Sequence, residues 1–102
     1  MVTKRARRKP PPARAEGPRI VVERVQTGVR MEKRLLKVLK SFAELKDLTL
    51  GDLLEGIVLH AFEGKAPFSP ESLSQIADLK KIYRLDLDAT ASHRLSERDD
   101  AR

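Results

Sequence analysis

The chain lacks cysteine and tryptophan, and among its 102 residues it has only one tyrosine and three phenylalanines. The absence of cysteine excludes a disulfide framework and any zinc site built on thiolates. The shortage of aromatic residues argues against recognition of single-stranded nucleic acid by base stacking. The longest mainly apolar run, residues 56–62, is too short to span a membrane, so no membrane contact is expected.

Groups of residues that would support catalysis or hold a metal are also missing from the sequence. His60 and His93 are the only histidines, and the carboxylates do not combine with them at metal-ligand spacing. There is no glycine-rich phosphate loop and no nucleophile motif. We therefore expect no enzymatic activity, no cofactor and no metal. The basic N-terminus lacks the apolar stretch of a secretory signal, which predicts a cytoplasmic protein.

Positive charge is concentrated at the start of the chain. Residues 1–19 contain seven Lys and Arg against one Glu, a net charge of +6, whereas residues 20–102 contain 14 of each sign. Such asymmetry is typical of an interaction tail, here for nucleic acid. A disordered tail is predicted for residues 1–19, whose DNA-binding cations would be Lys4, Arg5, Arg7, Arg8, Lys9, Arg14 and Arg19. It could enter the minor groove or act only as a non-specific solubilising segment.

The spacing of apolar residues changes twice after the tail. Alternation predicts a short strand over residues 26–31, with Thr27, Val29 and Met31 on the inward face and Gln26, Gly28 and Arg30 on the outward face. Helical spacing then predicts a helix over residues 32–47 and a second one from the N-cap Thr49 to Gly64. Since a lone strand has no hydrogen-bond partner, we expect two chains to pair their strands as a homodimer.

This order of elements resembles the ribbon-helix-helix family of DNA-binding proteins, of the MetJ/Arc/CopG type, over residues 26–64. The resemblance implies a mostly α fold with one short strand, an intertwined homodimer with a two-stranded antiparallel ribbon, and here an additional C-terminal helix. It also implies a ribbon in the major groove of double-stranded DNA. The dimer core would contain Val29, Met31, Leu35, Leu36, Leu39, Phe42, Leu53, Leu54, Ile57, Val58 and Phe62.

Two sets of DNA contacts are expected. Base contacts would come from Gln26, Gly28 and Arg30, because amide and guanidinium groups bind adenine and guanine edges. Phosphate contacts would come from Arg24, Lys33, Arg34, Thr49, Leu50 and Gly51. Gly28 allows a close approach of the backbone or marks a bulge, and Thr49 could be only a structural cap. Asp52 counts against tight phosphate binding, because its carboxylate competes for the same place.

The predicted organisation is a tail over residues 1–19, a ribbon-helix-helix domain over 20–64, a linker and amphipathic helix over 65–87, and a disordered polar tail over 88–102. Residues 20–22 either extend the strand or pack on the dimer. The third helix, capped by Ser69 with Pro70 at its first position, packs on the dimer or binds another protein.

We expect a transcriptional repressor that binds double-stranded DNA, and the resemblance implies that two dimers could bind adjacent half-sites. Two alternatives stay open. The protein could be an antitoxin whose residues 66–87 bind a toxin, or a DNA-coating or partition protein of low specificity that associates with the nucleoid. A dimerisation module without DNA is the remaining case, because residues 20–102 are neutral.

Overall fold

A computed structural model of the chain describes residues 18–98, in two units that comprise residues 18–30 and 31–98. Residues 18–30 form neither helix nor strand, and all their side chains are exposed. The second unit contains three helices, α1 (Lys33–Leu45), α2 (Leu50–Phe62) and α3 (Pro70–Tyr83), followed by a 3-10 turn at Ala89–Ala91. None of the helices in the described region has the length and apolarity needed to cross a membrane.

The ribbon predicted for residues 26–31 is wrong, and with it the ribbon-helix-helix fold class and its intertwined dimer. Residues 18–98 contain no strand, so the described fold is all-α. A strand forms only where a neighbouring segment accepts and donates its backbone hydrogen bonds. Alternation of side chains favours an extended backbone, but no second segment of the described chain pairs with residues 26–31.

Each helix begins at a side chain that accepts a hydrogen bond from the third residue of the helix. Glu32 caps α1 by accepting from the Leu35 amide at 2.8 Å. Thr49 caps α2 and Ser69 caps α3, as the sequence predicted. Pro70 occupies the first position of α3, where its missing N–H leaves no donor unsatisfied.

A residue with positive φ follows the last residue of each helix by one or two positions, namely Asp47, Gly64 and Arg84 in chain order. The next amide then bonds back five residues, from Leu48 to Ala43, from Lys65 to His60 and from Leu85 to Lys80, at 2.8 to 2.9 Å. This arrangement satisfies carbonyls that the end of a helix otherwise leaves unpaired. Only Gly64 adopts the left-handed conformation without a side-chain penalty.

α1 packs against both α2 and α3, and the core lies along it. Phe42 and Ala43 of α1 and Leu53 of α2 form its buried centre. The partly buried side chains packed against this centre are Leu39, Leu48, Ile57, Phe68, Ile76 and Leu79. The Phe42 and Phe68 rings meet edge to face, with centroids 5.5 Å apart and planes at 83°, a favoured arrangement for aromatic pairs.

The third helix therefore packs within its own chain. Ile76 and Leu79 contact the core cluster, and Leu85, just after the helix, is also buried. The Ser41 hydroxyl of α1 donates to the Tyr83 hydroxyl at 3.0 Å. The 3-10 turn at Ala89–Ala91 lies within the segment predicted as a polar tail, and Asp88 caps it.

Candidate nucleic-acid interface

The segment of residues 18–30 exposes its polar and apolar side chains alike. The predicted base-contacting residues Gln26, Gly28 and Arg30 are all exposed, as are Arg19 and Arg24. Nothing in the described chain lies within 4 Å of a Cβ built on Gly28, so this chain gives no steric reason for a glycine there. Lys4, Arg5, Arg7, Arg8, Lys9 and Arg14 lie outside the described residues.

Apolar side chains of the same segment are exposed as well. Val29, predicted for a dimer core, is 74% exposed, and Ile20, Val21, Val22 and Val25 are exposed too. Water-exposed valine and isoleucine side chains are ordinary one at a time, but a run of them marks a surface that can contact another molecule. The segment thus combines apolar contact groups with exposed guanidinium groups.

Two cations at the start of α1, Lys33 and Arg34, differ in their contacts within the chain. Lys33 is exposed, whereas the Arg34 Nε donates to Glu32 Oε2 at 3.1 Å. The Arg34 Nη1 lies 3.2 Å from Asp86 Oδ1 and donates to the carbonyl oxygen of Arg84 at 2.8 Å. Arg34 therefore joins α1 to the chain that follows α3. A phosphate contact by Arg34 would have to displace these acceptors.

The charges around Arg34 stabilise one another. The hydrogen bond from Arg34 to Glu32 raises the pKa of the guanidinium above its ordinary value, and attraction to Asp86 adds to this effect. Burial alone would raise the pKa of Glu32. The Leu35 amide and Arg34 outweigh it by hydrogen bonding, and the net result is a lowered pKa. Glu32 is thus an ionised cap at neutral pH.

The first turn of α2 has the backbone geometry of an anion-binding helix start. The Thr49 hydroxyl accepts a hydrogen bond from the Asp52 amide at 3.0 Å, so the Asp52 amide already has a partner within the chain. The amides of Leu50 and Gly51 belong to the first turn, where a helix provides no backbone acceptor. Gly51 is exposed and Leu50 is half-buried. Asp52 brings negative charge to the same turn, which weakens the attraction for phosphate.

A row of lysines follows the outer face of α1. Lys33, Lys37 and Lys40 recur at helical spacing, and all three are exposed. The Lys37 ammonium lies 6.0 Å from the centroid of the Tyr83 ring, so this face extends from α1 to the end of α3. Its cations are available to a polyanion, although such a row is also an ordinary solvated helix face.

The predicted dimer core is only partly covered within the chain. Phe42 and Leu53 are buried, whereas Met31, Leu36, Leu39, Leu54 and Ile57 are half-buried. Leu35 is 36% exposed, Val58 43% and Phe62 82%. Leu35, Leu39 and Ile57 also line an apolar groove of about 370 Å³ between α1, α3 and residues 85–95. Much of the apolar surface of α1 and α2 thus remains open.

Sequence reasoning missed two buried residues and the contacts of Arg34. Val38 and Leu85 are 5% and 7% exposed, respectively. Val38 lies three residues after Leu35 and four before Phe42, so its helical spacing was a usable signal. The pairing of Arg34 with Asp86 joins positions 52 residues apart, and nothing in the sequence marks it.

The histidines do not form a metal site in the described chain. The His60 Nδ1–H donates to the Gly56 carbonyl at 2.7 Å, which directs this ring back along α2. No group of three or more potential metal ligands occurs among residues 18–98.

In comparisons with known proteins, no family model matches this sequence, and no curated protein or solved structure is detectably similar to it.

Proposed function

We propose that the protein binds double-stranded DNA and acts as a transcriptional repressor. The observation that carries this proposal is the separation of charge, because residues 1–19 hold a net +6 and the remaining 83 residues are neutral. Neutralisation of phosphates by Lys and Arg releases counterions and supplies most of the affinity for a duplex. A basic segment that leads into an exposed segment without helix or strand is suited to follow a DNA groove.

Residues 18–30 are the proposed base-reading segment. A single extended chain can lie in a groove without a paired strand, as the N-terminal arms of other DNA-binding domains do. The Arg30 guanidinium can donate two hydrogen bonds to guanine, and the Gln26 amide can pair with adenine. Each such contact contributes roughly 1–3 kcal/mol of discrimination between bases. Gly28, between them, leaves the backbone free to approach the bases.

Phosphate contacts are assigned to the helical unit and to Arg24. Lys33 supplies an exposed ammonium at the start of α1, and the Leu50 and Gly51 amides supply donors at the start of α2. These groups would fix the position of the domain on the duplex without reading sequence. Arg34 would contribute only by exchanging its carboxylate partners for a phosphate, so we rank it below Lys33.

The first experiment compares specific and random DNA. Fragments that the protein retains from genomic DNA provide the specific duplex, and fluorescence anisotropy gives both affinities. Arg30→Ala should weaken specific binding by about 1–3 kcal/mol and random binding much less. Arg94→Ala is the matched control, because it removes an exposed arginine that donates to Thr90 at the other end of the chain. Equal losses on both duplexes would refute base contact by Arg30.

The second experiment measures how affinity depends on salt. If about 4–6 cations of residues 1–19 neutralise phosphates, deletion of these residues should reduce the slope of log K against log salt by about 4–5. Sequence preference should survive the deletion, because the base contacts lie elsewhere. An unchanged slope would show that the tail does not contact DNA.

The same affinities separate the repressor from a nucleoid-associated coating protein. A repressor prefers the retained fragments by a factor of at least about 10³ over random DNA. A coating or partition protein would bind both with similar affinity.

The antitoxin alternative concerns the surface of α3. Because α3 packs against α1, its exposed large apolar side chains are Leu73 and Ile82, so a toxin would bind at these residues or displace α3.

A further inference from the structure

The groove between α1, α3 and residues 85–95, named the α1–α3 groove, is mainly apolar and lies within the helical unit. Each helix contributes to its walls, through side chains such as Leu39, Ile57 and Ile76, and the chain after α3 adds Leu95. Its volume of about 370 Å³ falls within the roughly 300–1,000 Å³ of sites that hold small molecules. Its size and lining thus suit a small apolar ligand.

The groove reaches the centre of the core. Val38, Phe42 and Leu85 line it, and all three are buried. Only a narrow group can enter from outside and touch side chains as buried as these, and an unbranched alkyl chain is such a group. Its transfer from water to aliphatic and phenyl walls is favourable in proportion to the number of methylenes that enter.

The dimensions of the groove argue against a protein surface as its occupant. The groove is lined by 15 residues. A stable protein interface uses roughly 20–30 residues on each side. A protein could fill the groove only with a protruding side chain, as a small part of a larger interface, whereas a small molecule needs nothing beyond the groove itself.

One of the two charged residues in the groove lining already has partners within the chain. Asp88 Oδ1 accepts hydrogen bonds from the amide and the hydroxyl of Thr90, so this carboxylate acts as the cap of the 3-10 turn. These hydrogen bonds lower the pKa of Asp88, and attraction to Lys80 adds to the effect. Asp88 is therefore ionised at neutral pH, and it lies close enough to Lys80 to attract it.

Lys80 supplies the charge that remains available to a ligand. Its side chain is half-buried in the groove lining, and no ion pair within residues 18–98 involves its ammonium group. A lysine ammonium has three donors and no acceptor, so it pairs with an anionic oxygen. Ser92, which also lines the groove, adds a hydroxyl. A carboxylate is the end group that these residues favour.

From the apolar walls and Lys80 together, we propose that the α1–α3 groove binds a free carboxylic acid with an unbranched chain of medium length. The carboxylate pairs with Lys80, and the chain packs against Val38 and Phe42. Binding of this ligand does not require DNA, and the tests contain none, so their failure would leave the proposed function as it stands.

Isothermal titration calorimetry of the full chain with octanoate, decanoate and dodecanoate, below the concentrations at which they form micelles, tests the ligand class. Each added methylene should strengthen binding about fourfold until the groove is full. Decanoate should bind more tightly than decanol, and decylammonium more weakly than either, because Lys80 repels it. Absence of binding by decanoate, or tightest binding by decylammonium, would overturn the proposal.

A lysine variant tests the end group. Lys80→Gln should weaken decanoate binding about fivefold, since solvent screens a half-buried ion pair, and it should leave decanol binding unchanged. Lys81→Gln is the matched control, because Lys81 is exposed and lies outside the groove lining. Equal losses of decanoate binding in the two variants would overturn the pairing with Lys80.

Ala91→Leu tests the location by filling the groove. Ala91 is half-buried in the lining, so a larger side chain should weaken decanoate and decanol alike, at least about tenfold. Ala77→Leu is the control, because Ala77 is exposed on α3 and outside this groove. Circular dichroism verifies that both variants keep their helices. Undiminished binding by Ala91→Leu would overturn the proposal.

Methyl NMR of the natural sequence locates the ligand without any substitution. Decanoate should shift the methyl resonances of Val38 and Ile76, which line the groove, and leave those of Leu73 and Ile82, which are exposed outside it. Shifts confined to Leu73 and Ile82 would overturn the location. Sedimentation velocity tests the other occupant, because a dimer that Ala91→Leu dissociates would show that a second copy fills the groove and would overturn the proposal.

Discussion

The Arg34 side chain in α1 donates a hydrogen bond of 2.8 Å to the carbonyl oxygen of Arg84, 50 residues further along the chain. Arg84 is the residue at which α3 ends, with a left-handed backbone. The same guanidinium contacts Asp86 at 3.2 Å and Glu32 at 3.1 Å. One side chain thus joins the start of α1 to the end of α3.

Arg34→Ala should loosen the end of α3 without unfolding α2. The Arg34 side chain is 36% exposed, so solvent screening keeps the expected loss of stability small. Hydrogen exchange should speed up at the Arg84 and Leu85 amides, and much less in α2. Lys33→Ala, the control, removes one neighbouring positive charge that is exposed. Similar exchange in the two variants would show that the contact does not hold α3.

Stability in acid should depend on Glu32. Its pKa is lowered in the folded chain, so its contribution is complete above the pKa of the unfolded chain and is lost as the pH falls through the folded value. Glu32→Gln should therefore lower stability at neutral pH and flatten the acid limb of a plot of unfolding free energy against pH. Urea unfolding from pH 7 down to the acid limb would measure this. Superimposable curves for the two proteins would contradict it.

Arg84→Gly should stabilise the chain. Arg84 has a φ of 58°, a left-handed conformation that costs a residue with a Cβ about 1–2 kcal/mol. Glycine removes this penalty, and its greater freedom in the unfolded chain leaves a net gain of about 0.5–1 kcal/mol. The substitution keeps the carbonyl oxygen of residue 84, which accepts the hydrogen bond from Arg34. Lys81→Gly, within α3, should instead destabilise by about 1 kcal/mol. Thermal unfolding of both variants measures these effects. A shift of the melting temperature in the same direction for Arg84→Gly and Lys81→Gly would refute this explanation.

The edge-to-face contact of Phe42 and Phe68 should be measurable as a coupling energy. Phe42→Leu and Phe68→Leu, alone and together, should give an interaction of about 0.5–1.5 kcal/mol in a double-mutant cycle. Denaturant unfolding provides the four free energies. Additive effects would mean that the two rings stabilise the core separately.

Local chemistry predicted the helices well. Thr49 and Ser69 are cap residues whose hydroxyl groups accept an amide, Pro70 suits a first turn, and Gly64 suits a left-handed end. These preferences depend on residues close in sequence, so the sequence alone reveals them. Two other helix ends were less visible, because Asp47 and Arg84 adopt positive φ without being glycine.

The prediction of a strand was wrong because strand pairing depends on residues far apart in the sequence. Alternation over residues 26–31 predicts which side chains would share a face of a strand, but pairing requires a second segment that the pattern does not specify. The packing of α3 against α1 likewise depends on contacts between distant residues. For the candidate interface, the sequence identified exposed residues such as Gln26 and Arg30, and their binding to bases stays a prediction.

Tyr83 is the only tyrosine of a chain without tryptophan, and it contacts Ser41 and Lys37 of α1. Ultraviolet absorption and emission above 270 nm therefore come almost wholly from this one ring. A shift in that signal would report separation of α1 from α3 with no label attached, and events elsewhere in the chain would leave it nearly unchanged.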